Sequence, residues 1–471
     1  MKRKAAVPAI FLCVLLAAAP AAASANSGPA YWENAPSFAV TLLKDCPVTV
    51  EHEDLSFDFS GNKHSDYSPS ADVTAAYRMK NPTGRTVKVQ MAFPLIARLP
   101  DLLPRDEDRS GVPPVGETLG ISVDGKSLPF EILPGGTMPD AGFSQNYYTN
   151  NGGVVKTSLP GFDRILKSVS AKSGAHKILD GAGQQYLVTV EQDGGVQVQT
   201  CDRNTYLLCC GFNGMSSDGS SVTLMSDNMK KGDSVSFLAF GGTPVIRFLS
   251  PDRKPQQSGG LSIKKAACSV DGYVGEMLSC RLNSRSSLAK SLLPRLVSST
   301  EDFVESFFSD GNHAFCDSNL ADYLHQERLI VLCFETAFPA GEERAVTVRY
   351  AMSGAMNSQK SQDPLYSYAY LLNPAKGWAG FKDLNIRIAP PAKAPYLVAG
   401  SLSFTKSPSG VYTASLPSLP QNDLTFSLYP DPQVSPKQSK SWGVATFLLC
   451  TAALVVIVCL IVHFYHKRKN D

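Results

Sequence analysis

No stretch of the chain carries a G-x-S-x-G, H-E-x-x-H, Walker or G-x-G-x-x-G element. That absence excludes the usual sequence forms of serine hydrolysis, zinc proteolysis, phosphate-loop and dinucleotide chemistry. There is no C-x-x-C pair, so the spacing of a structural zinc site is missing too. Asn81-Pro82-Thr83 has proline in the excluded position, leaving no usable N-glycosylation sequon. Charge of one sign is also scarce, with a formal net of +2. Setting aside Lys2, Arg3, Lys4, Lys467, Arg468, Lys469 and Asp471 leaves 38 basic and 41 acidic residues. Such a balance makes no field for nucleic acid, and no nucleic-acid partner is expected. Neither an internal repeat nor a long low-complexity tract is present.

The residues that could still do chemistry are scattered. S-x-x-K occurs as Ser287-Leu288-Ala289-Lys290 and Ser262-Ile263-Lys264-Lys265, without the S-D-N and K-T-G companions that give the spacing meaning. His313 precedes Cys316 by three residues, a spacing open to a Cys–His dyad. The acidic runs Glu51-His52-Glu53-Asp54 and Asp106-Glu107-Asp108 lack the spaced ligands of a calcium loop and read as solvated turns. No catalytic, cofactor-binding or metal-binding residue is therefore assigned. The sequence favours a non-enzymatic role without a cofactor.

The two termini are the strongest signals. Met1-Lys2-Arg3-Lys4, an apolar run from Ile10 to Ala19 and the small residues to Ala25 make the three parts of a secretory signal, with a cut expected after Ala25. Val444 to Val462 carries no charge and has the length of a membrane span. Trp442 opens it, and Lys467-Arg468-Lys469 follow it as a cytoplasmic stop. The expectation is a single-pass protein of the cell membrane: signal 1–25, transmembrane helix 442–465, inner tail 466–471, and everything between facing outward. Its expected partners are the membrane, through that helix, and a protein or polymer of the cell envelope.

Of 11 cysteines, Cys13, Cys450 and Cys459 fall in the two apolar segments, which leaves eight. An even number in an exported chain predicts disulfides. Short loops favour Cys268 with Cys280 and Cys316 with Cys333, and Cys201 with Cys209 or Cys210.

Between the termini, period-2 alternation dominates. Val73 to Met79 and Val87 to Phe93 flank the turn Asn81-Pro82-Thr83-Gly84 and predict a hairpin; Asp124-Gly125 predicts another within 121–128. Residues 36–135 thus form an N-terminal β-domain. Residues 136–325 form a mixed α+β middle region or insertion, with strands at 186–191, 195–200, 222–225 and 234–239. A helix is expected to begin at the capping sequence Ser299-Thr300-Glu301-Asp302. Residues 326–429 return to strands, and Tyr366, Tyr368 and Tyr370 line one face, either as core or as a stacking platform. A Pro/Ser/Gln stalk over 430–441 is expected to lift the domain off the bilayer.

Two blocks carry a resemblance. Val73 to Leu95, ending in Phe93-Pro94-Leu95, and Tyr366 to Ile388, a Tyr-rich strand followed by a Trp-Gly turn and a strand, are similar to segments that open and close bacterial exported, membrane-anchored proteins of no known activity. The likeness implies a β-sandwich and no chemistry. The missing sequon agrees with a bacterial origin. The fold class expected is mainly β: an Ig-like sandwich with a mixed middle region and one C-terminal transmembrane helix. The function expected is binding or structural, with an envelope hydrolase of dispersed active site as the alternative.

Overall fold

The structure is a computed structural model that describes residues 23–32, 40–43, 45–61, 68–103, 118–137, 166, 178–180, 183–219, 221–256, 259–282, 287–326, 328–358 and 361–436. It is mainly β, built from two large sheets and two small ones. The eight-stranded sheet runs β26 (Thr405–Lys406), β27 (Tyr412–Leu416), β24 (Leu384–Ala389), β4 (Thr49–Asp58), β5 (Ser70–Lys80), β21 (Glu343–Ser353), β7 (Gly120–Val123), β8 (Lys126–Ser127). The ten-stranded sheet runs β25 (Tyr396–Gly400), β28 (Leu424–Tyr429), β23 (Leu365–Leu371), β1 (Ala23–Ala25), β6 (Val87–Ala97), β2 (Gly28–Trp32), β3 (Val40–Leu42). On the other side of β6 lies β20 (Arg328–Phe338), then β9 (Glu131–Thr137), while β22 (Ala355–Asn357) pairs β23.

These two sheets face each other across aromatic side chains. Phe57 of β4 and Phe59, just past its end, meet Tyr370 and Tyr368 of β23 at ring-centroid distances of 5.7 and 4.9 Å. Phe426 of β28 lies 5.2 Å from Phe57. Tyr366, Tyr368 and Tyr370 are all buried, so the tyrosine stripe is core and not an open platform.

The expected Ig-like pattern is not the one observed. β1 runs parallel to β23, and β4 parallel to β24, whereas an Ig sandwich is antiparallel throughout. The expected hairpin 73–93 also gives way. β5 pairs with β4 and β21, while β6 pairs with β20 in the opposite sheet. The turn between them is an arch from one sheet to the other. Buried Asn81 pins it, donating from Nδ2 to the carbonyls of Arg85 (2.7 Å), Phe338 (2.9 Å) and Pro339 (3.0 Å). The second of these arches, between β20 and β21, is tied to the first where Gly341 N–H donates to Thr83 O at 3.0 Å. The Asp124-Gly125 hairpin is present, with both residues at positive φ (50° and 76°), the combination a two-residue hairpin turn requires.

The described residues of the middle region include two five-stranded sheets. One runs β18 (Leu261–Cys268), β10 (Gly183–Val190), β15 (Ser234–Phe240), β12 (Tyr206–Cys210), β19 (Ala314–Cys316); the other runs β13 (Gly214–Ser217), β14 (Val222–Met229), β11 (Gly194–Gln199), β16 (Val245–Leu249), β17 (Pro255–Gln256). They enclose their own core, with Val188, Val198, Leu224, Phe237 and Phe248 at its centre. Leu208, Leu238 and Phe240, on the other face of the first, join the main core.

Three helices cover that face: α2 (Val270–Arg281), α3 (Ser287–Ser309) and α4 (Asp317–His325), after the single turn α1 (Leu99–Leu102) earlier in the chain. The helix expected to start near Ser299 begins twelve residues earlier, at Ser287. Ser299 sits inside it, its Oγ donating to Leu296 O at 3.1 Å, so a hydroxyl that reads as a cap bonds back to the preceding turn.

The membrane reading is corrected. No helix among the described residues is long and apolar enough to cross a membrane. The longest, α3, carries Lys290, Arg295, Glu301, Asp302 and Glu305. The expected span and its flanks, Trp442, Val444, Val462, Lys467, Arg468 and Lys469, lie outside the described residues. Membrane attachment, single-pass topology and the outward-facing location built on them are accordingly withdrawn. Residues 1–22 of the expected signal also lie outside the described residues, but Ala23–Ala25, placed at its end, form β1 within the ten-stranded sheet. The expected stalk folds back at its start: Gln362 N–H donates to Ser435 O at 2.9 Å.

Candidate functional site

The disulfides expected from spacing are overturned. All eight cysteines, Cys46, Cys201, Cys209, Cys210, Cys268, Cys280, Cys316 and Cys333, are free thiols. Cys268 precedes α2 and Cys280 lies near its far end, roughly 16 Å along the axis at the helical rise, beyond any bridge. Cys316 belongs to β19 beside Cys209, whereas Cys333 sits in mid-β20 of the ten-stranded sheet. Cys201 is exposed ahead of β12, Cys209 turns inward and Cys210 is half-buried. Cys209 and Cys316 meet as a thiol pair, Sγ to Sγ at 2.7 Å. Burial pushes the thiols of Cys209, Cys210 and Cys333 up, so they stay protonated at neutral pH and are poor nucleophiles.

The Cys–His dyad does not form either. His313 stacks on Tyr206 at 5.2 Å while Cys316 faces Cys209. Ser262 and Lys265 share strand β18 at a spacing of three, which puts their side chains on opposite faces. Among the described residues no group of three or more His, Cys, Asp or Glu side chains is placed to hold a metal ion.

One carboxyl was missed by motif reading. Glu51-His52-Glu53-Asp54 lies in β4, and its members part company there. Glu51 pairs with Lys382 at 2.7 Å and His52 with Asp54 at 3.0 Å, but Glu53 is wholly buried. The signal was available in the alternation: Leu55, Phe57 and Phe59 point inward, and Glu53 is in phase with them. Its Oε2 accepts from Asn26 Nδ2 at 2.6 Å. Burial, with no cation among the described residues to offset it, raises its carboxyl to about 8. Tyr77, Tyr350 and Tyr370 close the surroundings, and burial holds Tyr77 and Tyr370 far above the ordinary phenol range.

The surface offers a different feature, the outer strand β18. All eight of its residues pair with β10, from Gly183 opposite Cys268 to Val190 opposite Leu261. Among the described residues nothing pairs with its other edge. Residues 263–267 are exposed in succession. Beside the backbone lie two exposed large apolar side chains, Ile263 on β18 and Leu187 on β10. Lys264 and Lys265 project from the same strand, and among the described residues neither has a carboxylate partner; Lys265 lies over the Tyr186 ring at 5.2 Å. Natural edges are commonly blunted by lysine, a bulge or shortness. Here only the lysines are present, on a long edge whose register with β10 is unbroken.

No protein-family profile and no curated protein matches the chain. Among solved structures it is similar to a candidate nutrient binding protein from Legionella pneumophila subsp. pneumophila str. Philadelphia 1, at 9% identity and a TM-score of 0.29, over 87% of this chain and 72% of that one. A likeness so slight carries no argument about fold or activity.

Proposed function

We propose that the protein is a binding protein whose partner presents an extended, acidic segment that adds as a further strand along β18. The observation that carries this reading is the edge itself, eight residues long and unpaired among the described residues, with Ile263 and Leu187 exposed beside two lysines that have no carboxylate partner among those residues. Strand addition draws its affinity from main-chain hydrogen bonds and its selectivity from alternate side chains. Lys264 and Lys265 favour a segment bearing Asp or Glu on both faces, and Ile263 and Leu187 add apolar contact. Glu276, which accepts from Gln185 at 3.2 Å, places negative charge near the Cys268 end and disfavours acids there.

Fluorescence anisotropy of the full chain with extended peptides, acidic against basic at equal apolar content, tests the reading. Acidic peptides should bind more tightly. The K264E/K265E double variant should weaken them about tenfold, near the total of two exposed ion pairs lost, and should improve the basic set. Equal binding of both sets, or no effect of charge reversal, overturns it.

A further inference from the structure

Strands β1 and β2 fill a slot in the middle of the ten-stranded sheet. β1 lies between β23 and β6, and β2 continues along β6. They are short, three and five residues, and the strand is interrupted between them at Asn26 and Ser27. Both of those residues are wholly buried. Their polar bonds reach into the sandwich: Asn26 Nδ2 donates to Glu53 Oε2, Ser27 N–H donates to Tyr77 OH at 3.3 Å, and Trp378 Nε1–H donates to Ser27 O at 3.0 Å. Asn26 Oδ1 in turn accepts from Ser27 N–H at 2.9 Å.

The groups facing Glu53 come from every neighbouring element. β4 itself contributes the exposed Asp54, β5 Tyr77, β21 Tyr350, β23 Tyr370, and the N-terminal segment Asn26 and Ser27. None of them carries a positive charge. Ionising Glu53 places an anion with no cationic partner among these groups in a dry interior; the Asn26 amide and the Tyr77 hydroxyl offset that cost only in part, and opening the interior to water relieves the rest. β1 pairs at three residues with β23 and at one with β6, and β2 at three each with β6 and β3, whereas β4, β5 and β21 are held along ladders of nine to eleven pairs. The short β1–β2 segment is the element whose departure costs least and admits water to Glu53.

We propose that Glu53 and the Asn26–Ser27 interruption form a proton-controlled latch, which seats residues 23–32 while the carboxyl is protonated and releases them, opening the slot between β6 and β23, when it ionises. The raised carboxyl value near 8 sets where the change falls. Release leaves the edges of β6 and β23 unpaired next to each other, where only a strand could satisfy both.

Hydrogen–deuterium exchange of the full chain between pH 6 and pH 9.5, corrected for intrinsic exchange rates, reads the latch directly. Peptides covering 23–32 should open about tenfold more from pH 6 to pH 7 and level off above about pH 8, as one-proton linkage requires, while peptides covering 183–268 stay protected. In E53Q, which keeps an oxygen facing Asn26 and cannot ionise, residues 23–32 should stay protected across the range. Should that variant not fold, the carboxylic acid carbonyl stretch of the wild type, followed by infrared titration, must disappear with the same midpoint as the exchange. Protection of 23–32 that persists to pH 9.5, the same loss in E53Q, separate midpoints, or opening of the whole sandwich together would each overturn the proposal.

Discussion

Glu53 and Asn81 are wholly buried polar side chains with opposite consequences. Asn81 satisfies carbonyls on two arches that would otherwise face an apolar interior. Asn81→Ala should cost about 3 kcal/mol, since buried acceptors left unpaired forfeit their full desolvation free energy; urea melts would show it as a lower midpoint with unchanged slope. Glu53 is a liability under alkali. Its carboxyl is raised in the folded state, so its contribution is fully present below the ordinary carboxylate range and is lost as pH rises towards about 8. The loss approaches about 1.4 kcal/mol per pH unit in that window. Thermal melts should fall between pH 5 and pH 8 in the wild type, and Glu53→Gln should flatten the curve; a parallel decline in both would show that other groups set it. Among the thiols, exposed Cys201 and Cys280 should alkylate first, with buried Cys209 and Cys333 last, as mass spectrometry of native protein can time.

At the scale of elements, turns decide which strands meet. The Asp124-Gly125 turn works because Gly125 accepts a φ of 76° without strain and a Cβ there would meet nothing within 4 Å. Gly125→Ala should therefore cost about 1 kcal/mol, purely from backbone conformation, a value equilibrium denaturation can resolve. α3 contains Pro294 in its interior. Yet Leu292 and Leu296 around it are fully buried, so packing against α2 and β9 holds a helix that its local sequence weakens.

For the whole molecule, a continuous core runs from the sandwich through the helices to one face of the β18–β19 sheet. Phe240 is one of its links, 5.9 Å from Phe308 of α3. Phe240→Ala should cost about 3–5 kcal/mol, and it should lower the melting of the sandwich and the middle region together in near-ultraviolet circular dichroism. Val198, in the separate core between the small sheets, is the contrasting site. Its truncation should loosen that pair of sheets first.

Local alternation and turn chemistry were legible in the chain because they depend on residues next to one another. The strands at 186–191 and 234–239, the Asp124-Gly125 turn and the mainly β class all follow from them. Partner choice was not legible, because a period of two says which side chains share a face and not which strand lies alongside. Hence the 73–93 pair read as a hairpin and proved an arch, and cysteines near in sequence proved far apart in space. Glu53 lay in phase with Leu55 and Phe57 all along. Only the closing of the second sheet over it, with Asn26 brought from 27 residues away, made that carboxyl a buried group. The exposed β18 edge is likewise a fact of tertiary structure, since an edge exists only once every other strand has found its neighbours.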